Sequence, residues 1–189
     1  AVALMAQAQG LLAADGRQDA GAALGALRAR LGWRAGDPGR IAAALSDARA
    51  ALAQLPAAVD DLGYMMAIHA AAELHLLAGQ LDEAWRDAQQ ALKTLEAAPS
   101  LMWQEAVLFT CSRVAQAQGN MAAAQDYLQC AYERCQTVAA ETQSPALRQS
   151  WLNAPTQRAI AAAYLISMSA TTDQPPSPFL ASGHSSGNA

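Results

Sequence analysis

The sequence predicts an all-α protein in which antiparallel helix-turn-helix pairs stack side by side as a right-handed solenoid. Two segments share one residue pattern at a spacing of 40 residues, and each has a glycine between two helical runs. Alanine makes up about a quarter of the 189 residues, and it combines the highest helix propensity with a small side chain. No run of alternating β-branched residues indicates a strand.

The repeated pattern puts small residues where the two helices of a pair would touch. Its copies span 68–92 and 108–132. In the first copy Gly79 marks the turn, because glycine adopts the left-handed conformation that ends many helices. Ala84 and Ala88 follow at helical spacing and share one face of the next helix. One such pair cannot bury its apolar face alone, so the pattern favours stacked neighbours.

The remaining helices follow from hydrophobic periodicity and from the positions of proline and glycine. We predict one helical repeat domain over 1–169, whose best repeats are 57–98 and 101–141 and whose closing helices lie within 145–169. Asp37 and Pro38 fit a cap and a first-turn proline. Residues 170–189 read as a disordered tail rich in Pro, Ser and Gly. The predicted helices span 1–14, 18–31, 38–54, 57–78, 81–97, 100–118, 121–141, 145–153 and 156–169.

The repeat resembles the tetratricopeptide repeat, a family with small residues on both helices and a glycine near the turn. The residues that carry the likeness are Ala72, Gly79, Ala84 and Ala91, and then Ser112, Gly119, Ala124 and Ala131. The sequence departs from the family pattern where Ile68 and Leu108 replace a frequent tryptophan. The resemblance implies a concave face, lined by the first helices, that receives a peptide or a helix from a protein partner.

A second resemblance lies at 147–160, where an arginine precedes an aromatic-Leu-x-x-Pro core and a further arginine follows it. This segment is similar to the end of helical-repeat regions in large bacterial signalling ATPases, among them transcriptional activators of the maltose-regulon type. The resemblance implies that the chain is a C-terminal arm of such a cytoplasmic regulator and that the ATPase lies upstream. The chain itself has no glycine-rich phosphate loop, so we expect it to bind no nucleotide.

Composition excludes several other function classes. The net charge is −4 without a basic stripe, which argues against binding to nucleic acid. No apolar run reaches the length of a membrane span. The three cysteines, Cys111, Cys130 and Cys135, lack metal-ligand spacing and indicate reduced thiols, with Cys111 as a buried structural residue.

His69, Glu73 and His75 form the best candidate for a metal site. His69 and Glu73 share a helix face at a spacing of four, but His75 lies off that face. The His-Glu-x-x-His arrangement of zinc proteases is absent. We therefore expect a packing role for this cluster, and we expect neither a metal ion nor another cofactor.

These observations predict a non-catalytic protein-binding or regulatory scaffold. Its partner would be another protein or an upstream domain of the same parent protein. The alternatives are a helical bundle that binds a cofactor or metal, including an enzyme, and a purely structural spacer. The predicted partner contacts are Tyr64, His75, Trp85, Trp103, Glu105 and Arg113.

Overall fold

A computed structural model describes residues 38–54, 62–97 and 103–172 of the chain. Every secondary-structure element in these ranges is a helix, so the predicted all-α class is confirmed. The predicted helices 1–14 and 18–31 and most of the predicted tail lie outside the described residues. The helices are α1 (Pro38–Gln54), α2 (Leu62–Leu77), α3 (Leu81–Ala97), α4 (Gln104–Ala117), α5 (Met121–Glu141), α6 (Pro145–Leu152) and α7 (Pro155–Thr172).

The helix boundaries follow local sequence signals. Pro38 begins α1, as predicted, and Pro155 begins α7 instead of merely ending the helix before it. Ser144 caps α6 by accepting a hydrogen bond from the backbone N–H of Leu147. The predicted start of α4 at Ser100 was wrong. The helix begins at Gln104, because Trp103 has a left-handed backbone with φ of 81°.

Both predicted glycine turns have the same geometry. Gly79 and Gly119 have φ of 73° and 80°, in the left-handed region that side chains with a Cβ disfavour. After Gly79, the N–H of Gln80 bonds to the carbonyl of His75 at 2.9 Å. After Gly119, the N–H of Asn120 bonds to the carbonyl of Ala115 at 2.9 Å. These are Schellman motifs, which satisfy the last carbonyls of α2 and α4 and direct α3 and α5 back along them.

Each helix packs on its neighbours in sequence, and some also contact helices further along the chain. α2 packs on α3 and also contacts α4, while α4 packs on α5 and also contacts α7. Within the pairs the small residues are buried: Ala84, Ala88 and Ala91 on α3, and Ala124 and Ala131 on α5. The Ser112 hydroxyl donates to the Ala124 carbonyl at 2.7 Å, so α4 and α5 approach closely there.

Two apolar clusters connect the pairs. One joins α2, α3 and α4 through residues such as Met65, Ala88 and Cys111. The other joins α5 to α7 around Leu128 and Ile160, with the rings of Tyr132 and Tyr164 stacked 4.1 Å apart beside it. None of the helices in the described ranges is long and apolar enough to cross a membrane.

Candidate functional site

A buried polar seam joins α2 to α4, and it consists of His69, Glu73, Thr110 and Arg113. The spacings of four on α2 and three on α4 put each pair on one helix face. Nη1 of Arg113 donates to Oε2 of Glu73 at 2.6 Å, and the Thr110 hydroxyl donates to Oε1 of Glu73. Nε2 of His69 lies 2.9 Å from the Thr110 hydroxyl. The predicted common face of His69 and Glu73 is therefore confirmed, and Thr110 connects them.

The seam fixes the position of the Arg113 side chain. The Glu73 side chain is only 2% exposed, and a carboxylate so deeply buried is tolerated only when it is paired and hydrogen-bonded. Thr110 and Arg113 each engage one of its oxygens. The Arg113 side chain remains 31% exposed. The buried Glu73 carboxylate therefore holds a guanidinium group that is still accessible to solvent.

Arg113 opens into a groove of about 530 Å³ between α4, α5 and α7, called here the α4–α7 groove. Its walls are largely apolar, and Arg113 is the one charged residue among the described residues that line it. Arg113 also lies over the ring of Phe109, with 5.9 Å between the guanidinium carbon and the ring centroid. The apolar walls are formed by Phe109, Met121, Ala124, Leu128, Ala163 and Ile166.

A second polar contact, centred on His75, ties α1, α2 and α3 together. Nη2 of Arg49 lies 3.1 Å from Nε2 of His75, and Nδ1 of His75 lies 2.8 Å from Oδ2 of Asp87. Because an arginine can only donate, Nε2 accepts and the ring proton sits on Nδ1, which donates to Asp87. Burial raises the pKa of Asp87 above its ordinary value of 3.8, and the facing His75 lowers it in part. His75, a predicted partner contact, is buried in this arrangement.

Glu105, another predicted partner contact, is also buried. It accepts a hydrogen bond from Nε2 of Gln157 at 3.2 Å, which joins α4 to α7. The predicted aromatic contacts are half-buried. Trp85 meets Tyr127 edge to face at 6.1 Å. Tyr64 and Trp103 pack against the apolar cluster formed by Ala51, Met66 and Ala67. Of the six predicted contacts, Arg113 alone lines the α4–α7 groove. Partner binding by all six stays a prediction.

A second open surface is the α7 outer face, defined by Arg158, Ala162, Leu165 and Ser169. These positions follow at spacings of four, three and four, and all of them are exposed. Leu165 is 65% exposed, and Ile166 beside it is 69% exposed. The 18-residue helix carries only one charged side chain, Arg158, which is unusual for a helix with an exposed face.

The cysteines and acidic groups show no metal-binding arrangement in the described ranges, where no group of three or more His, Cys, Asp or Glu side chains could hold an ion. All three cysteines are free thiols. Burial raises the pKa of Cys111 from 9.0 to about 12, so this thiol stays protonated and unreactive at neutral pH. Burial, and then the charge of Glu105, raises the pKa of Cys135 to about 12 as well. Cys130 is exposed.

Sequence reasoning missed three residues of these sites: Thr110, Gln157 and Ile166. Thr110 lies three residues before Arg113, so a search for polar residues on the buried face of α4 would have found it. Gln157 forms a hydrogen bond with Glu105, which lies 52 residues earlier in the chain, and no local sequence pattern predicts such a contact. Ile166 looks like a core residue in the sequence, and only the packing around α7 shows that it is exposed.

Comparison of the chain with models of protein families, with curated proteins and with solved structures gives no match.

Proposed function

We propose that this chain is a non-catalytic protein-binding module whose α7 outer face receives a helix from a partner protein. The observation that carries the proposal is the exposure of a nearly uncharged helix at one end of the packed helices. Large apolar side chains exposed next to each other, as Leu165 and Ile166 are, are a feature of protein interaction sites.

The contacts between helices support a tetratricopeptide-like stack. α4 contacts α2 before it and packs on α5, which is the behaviour of the first helix of a repeat. α7 contacts α4 and packs on α5, so it has the position of the first helix of a following repeat. The corresponding second helix is missing from the described residues. A partner helix that covers Leu165 would supply it and continue the stack.

The larger assignment rests on the segment around α6. Arg148, Trp151 and Leu152 lie on α6, and Pro155 begins α7, so the segment that resembles the end of bacterial regulator arms forms the joint between these two helices. On this proposal the chain is a cytoplasmic arm of a signalling ATPase regulator. The partner helix then belongs to another protein or to another domain of the parent protein.

The test uses two leucines with the same exposure. Leu165 on α7 and Leu147 on α6 are each 65% exposed, and only Leu165 lies on the α7 outer face. A photo-crosslinking amino acid placed at each position in turn, in the full parent protein in its own cells, samples the two surfaces. We expect a crosslink to a defined helix from position 165 and none from position 147.

Charge substitutions complete the test. Leu165→Asp should remove the crosslinked complex, and Leu147→Asp should leave it intact. Equal crosslinking from both positions, or a complex that survives Leu165→Asp, would refute the proposal. Circular dichroism of the two variants checks that both remain folded.

A further inference from the structure

The size of the α4–α7 groove suits a small organic molecule. Its volume is about 530 Å³, within the range of roughly 300–1,000 Å³ typical of small-molecule sites. Three helices meet there, and a bound molecule would contact α4, α5 and α7 together. Leu165, which carries the proposed protein interface, does not line the groove, so the two sites can be tested separately.

The lining specifies an amphiphilic ligand. The walls offer apolar surface from Phe109, Met121 and Ile166, of which Met121 is 60% exposed. Such surface favours an aliphatic or aromatic group, because burying it removes apolar area from water. Gln116 and Gln125 add neutral polar groups at the rim.

Arg113 specifies the charge of the ligand. Among the described residues, its one hydrogen-bond acceptor is Oε2 of Glu73, so most of the donors of its guanidinium fork are left for a ligand. Both Glu73 oxygens are already engaged, and the carboxylate therefore fixes Arg113 without occupying the groove. A pre-positioned guanidinium is the side chain best suited to bind a planar or tetrahedral anionic group through two parallel hydrogen bonds.

We infer that the α4–α7 groove binds a small amphiphilic organic anion, with the apolar part against Phe109, Met121 and Ile166 and the anionic group on Arg113. Binding of such an anion would make the module responsive to a metabolite as well as to a protein. Nothing in the proposed protein interface depends on it.

Two fluorescent probes that differ by one sulfonate test the inference. 1-Anilinonaphthalene-8-sulfonate is anionic, and N-phenyl-1-naphthylamine is its neutral counterpart. The folded chain should bind the anionic probe at one saturable site, about tenfold more tightly than the neutral probe, since hydrogen bonds to charged groups discriminate by about that factor. Decanoate should displace the anionic probe, and decanol should displace it poorly.

The decisive variant is the double substitution Glu73→Gln/Arg113→Gln. It removes the cation without leaving a buried unpaired carboxylate, and Gln at 73 can still accept from Thr110. We expect it to abolish the tenfold preference and leave the neutral probe's affinity unchanged. Ile166→Asp introduces a negative charge into the groove and should weaken the anionic probe at least tenfold, whereas Leu147→Asp, outside the groove, should change neither probe.

Three results would each overturn the inference. They are no saturable site for the anionic probe, equal affinity for the two probes, and a preference that survives the double substitution. Thermal unfolding curves and circular dichroism identify any variant that has lost its fold. If Ile166→Asp weakens binding of the anionic probe but Glu73→Gln/Arg113→Gln keeps the tenfold preference, this third result has occurred, and Arg113 does not hold the anionic group.

Discussion

α2 and α7 differ in where they place their charged and their large apolar side chains. α2 carries two histidines and one glutamate, His69, His75 and Glu73, and all three are buried. α7 carries a single charged side chain, Arg158, and yet Leu165 and Ile166 on it are largely exposed. α2 is the more apolar helix overall, and it buries its few polar side chains along with its apolar ones, whereas α7 leaves large apolar side chains at the surface.

The difference teaches that the position of a helix in the stack decides whether its individual side chains, polar or apolar, are covered. α2 has α1, α3 and α4 around it, and the side chains of His69, Glu73 and His75 each form a hydrogen bond to a neighbouring helix. α7 has α4, α5 and α6 on one side, and no described helix on the other. Buried polar groups are tolerable only when they are paired, so α2 should be sensitive to the loss of a partner. The outer face of α7 should be insensitive.

Among changes to the paired polar groups, the largest effect is expected when the buried Glu73 loses its cation. Arg113→Met should lower the free energy of unfolding by about 3–5 kcal/mol, because it leaves an uncompensated charge in the interior. Urea denaturation followed by circular dichroism measures the loss. A loss below about 1 kcal/mol would show that the seam contributes little and would weaken the contrast with α7.

The matched control for that prediction is Glu73→Leu/Arg113→Met, in which both charges are removed. Thr110 can then still donate to the carbonyl of Ala106, 3.0 Å away. Replacing a buried ion pair with apolar residues is often neutral or stabilising. We therefore expect the double variant to lie within about 1 kcal/mol of the wild-type protein.

A smaller effect is expected from enlarging a small residue where helices meet. Ala88 on α3 is buried in the cluster that joins α2, α3 and α4. Ala88→Leu should cost about 1–3 kcal/mol, because the added methylenes force the helices apart. Ala122→Leu, at an exposed position of α5, is the control and should change stability by less than about 0.5 kcal/mol. Equal costs at the two positions would contradict the close packing assigned to α3.

A pH-dependent effect is expected from the buried thiol of Cys111. Its folded-state pKa of about 12 exceeds the reference value of 9.0, so above pH 9 the unfolded chain releases this proton while the folded chain keeps it. Stability should therefore fall as pH rises, and between pH 8 and pH 10 this thiol should account for about 1 kcal/mol. Cys111→Ala should reduce the slope of stability against pH relative to the wild-type protein. Chemical denaturation at the two pH values measures both slopes.

How much the sequence could predict depended on whether a feature was local. The helices, the turns at Gly79 and Gly119, and the burial of Ala84 and Ala88 follow from periodicity and backbone preference within one helix pair. The predicted start of α4 was wrong because Trp103 has a positive φ, and no sequence pattern predicts a positive φ at an aromatic residue. The seam and the α4–α7 groove are formed by helices that are distant in the chain. Local patterns could therefore identify Arg113 as a candidate contact, but they could not predict which residues of other helices it contacts.

The smallest effect on stability is expected on α7, and it is the sharpest test of the contrast. Leu165→Asp places a charge on an exposed apolar position, and it should change the free energy of unfolding by less than about 0.5 kcal/mol. Leu74→Asp makes the same substitution at a fully buried position of α2 and should abolish folding, since an unpaired carboxylate would enter the core. A large cost at Leu165 would mean that this face is covered within the chain, and then no surface would remain there for a partner helix. A small cost would show that the exposed leucine does not stabilise the isolated fold. That result is expected if this surface binds another protein.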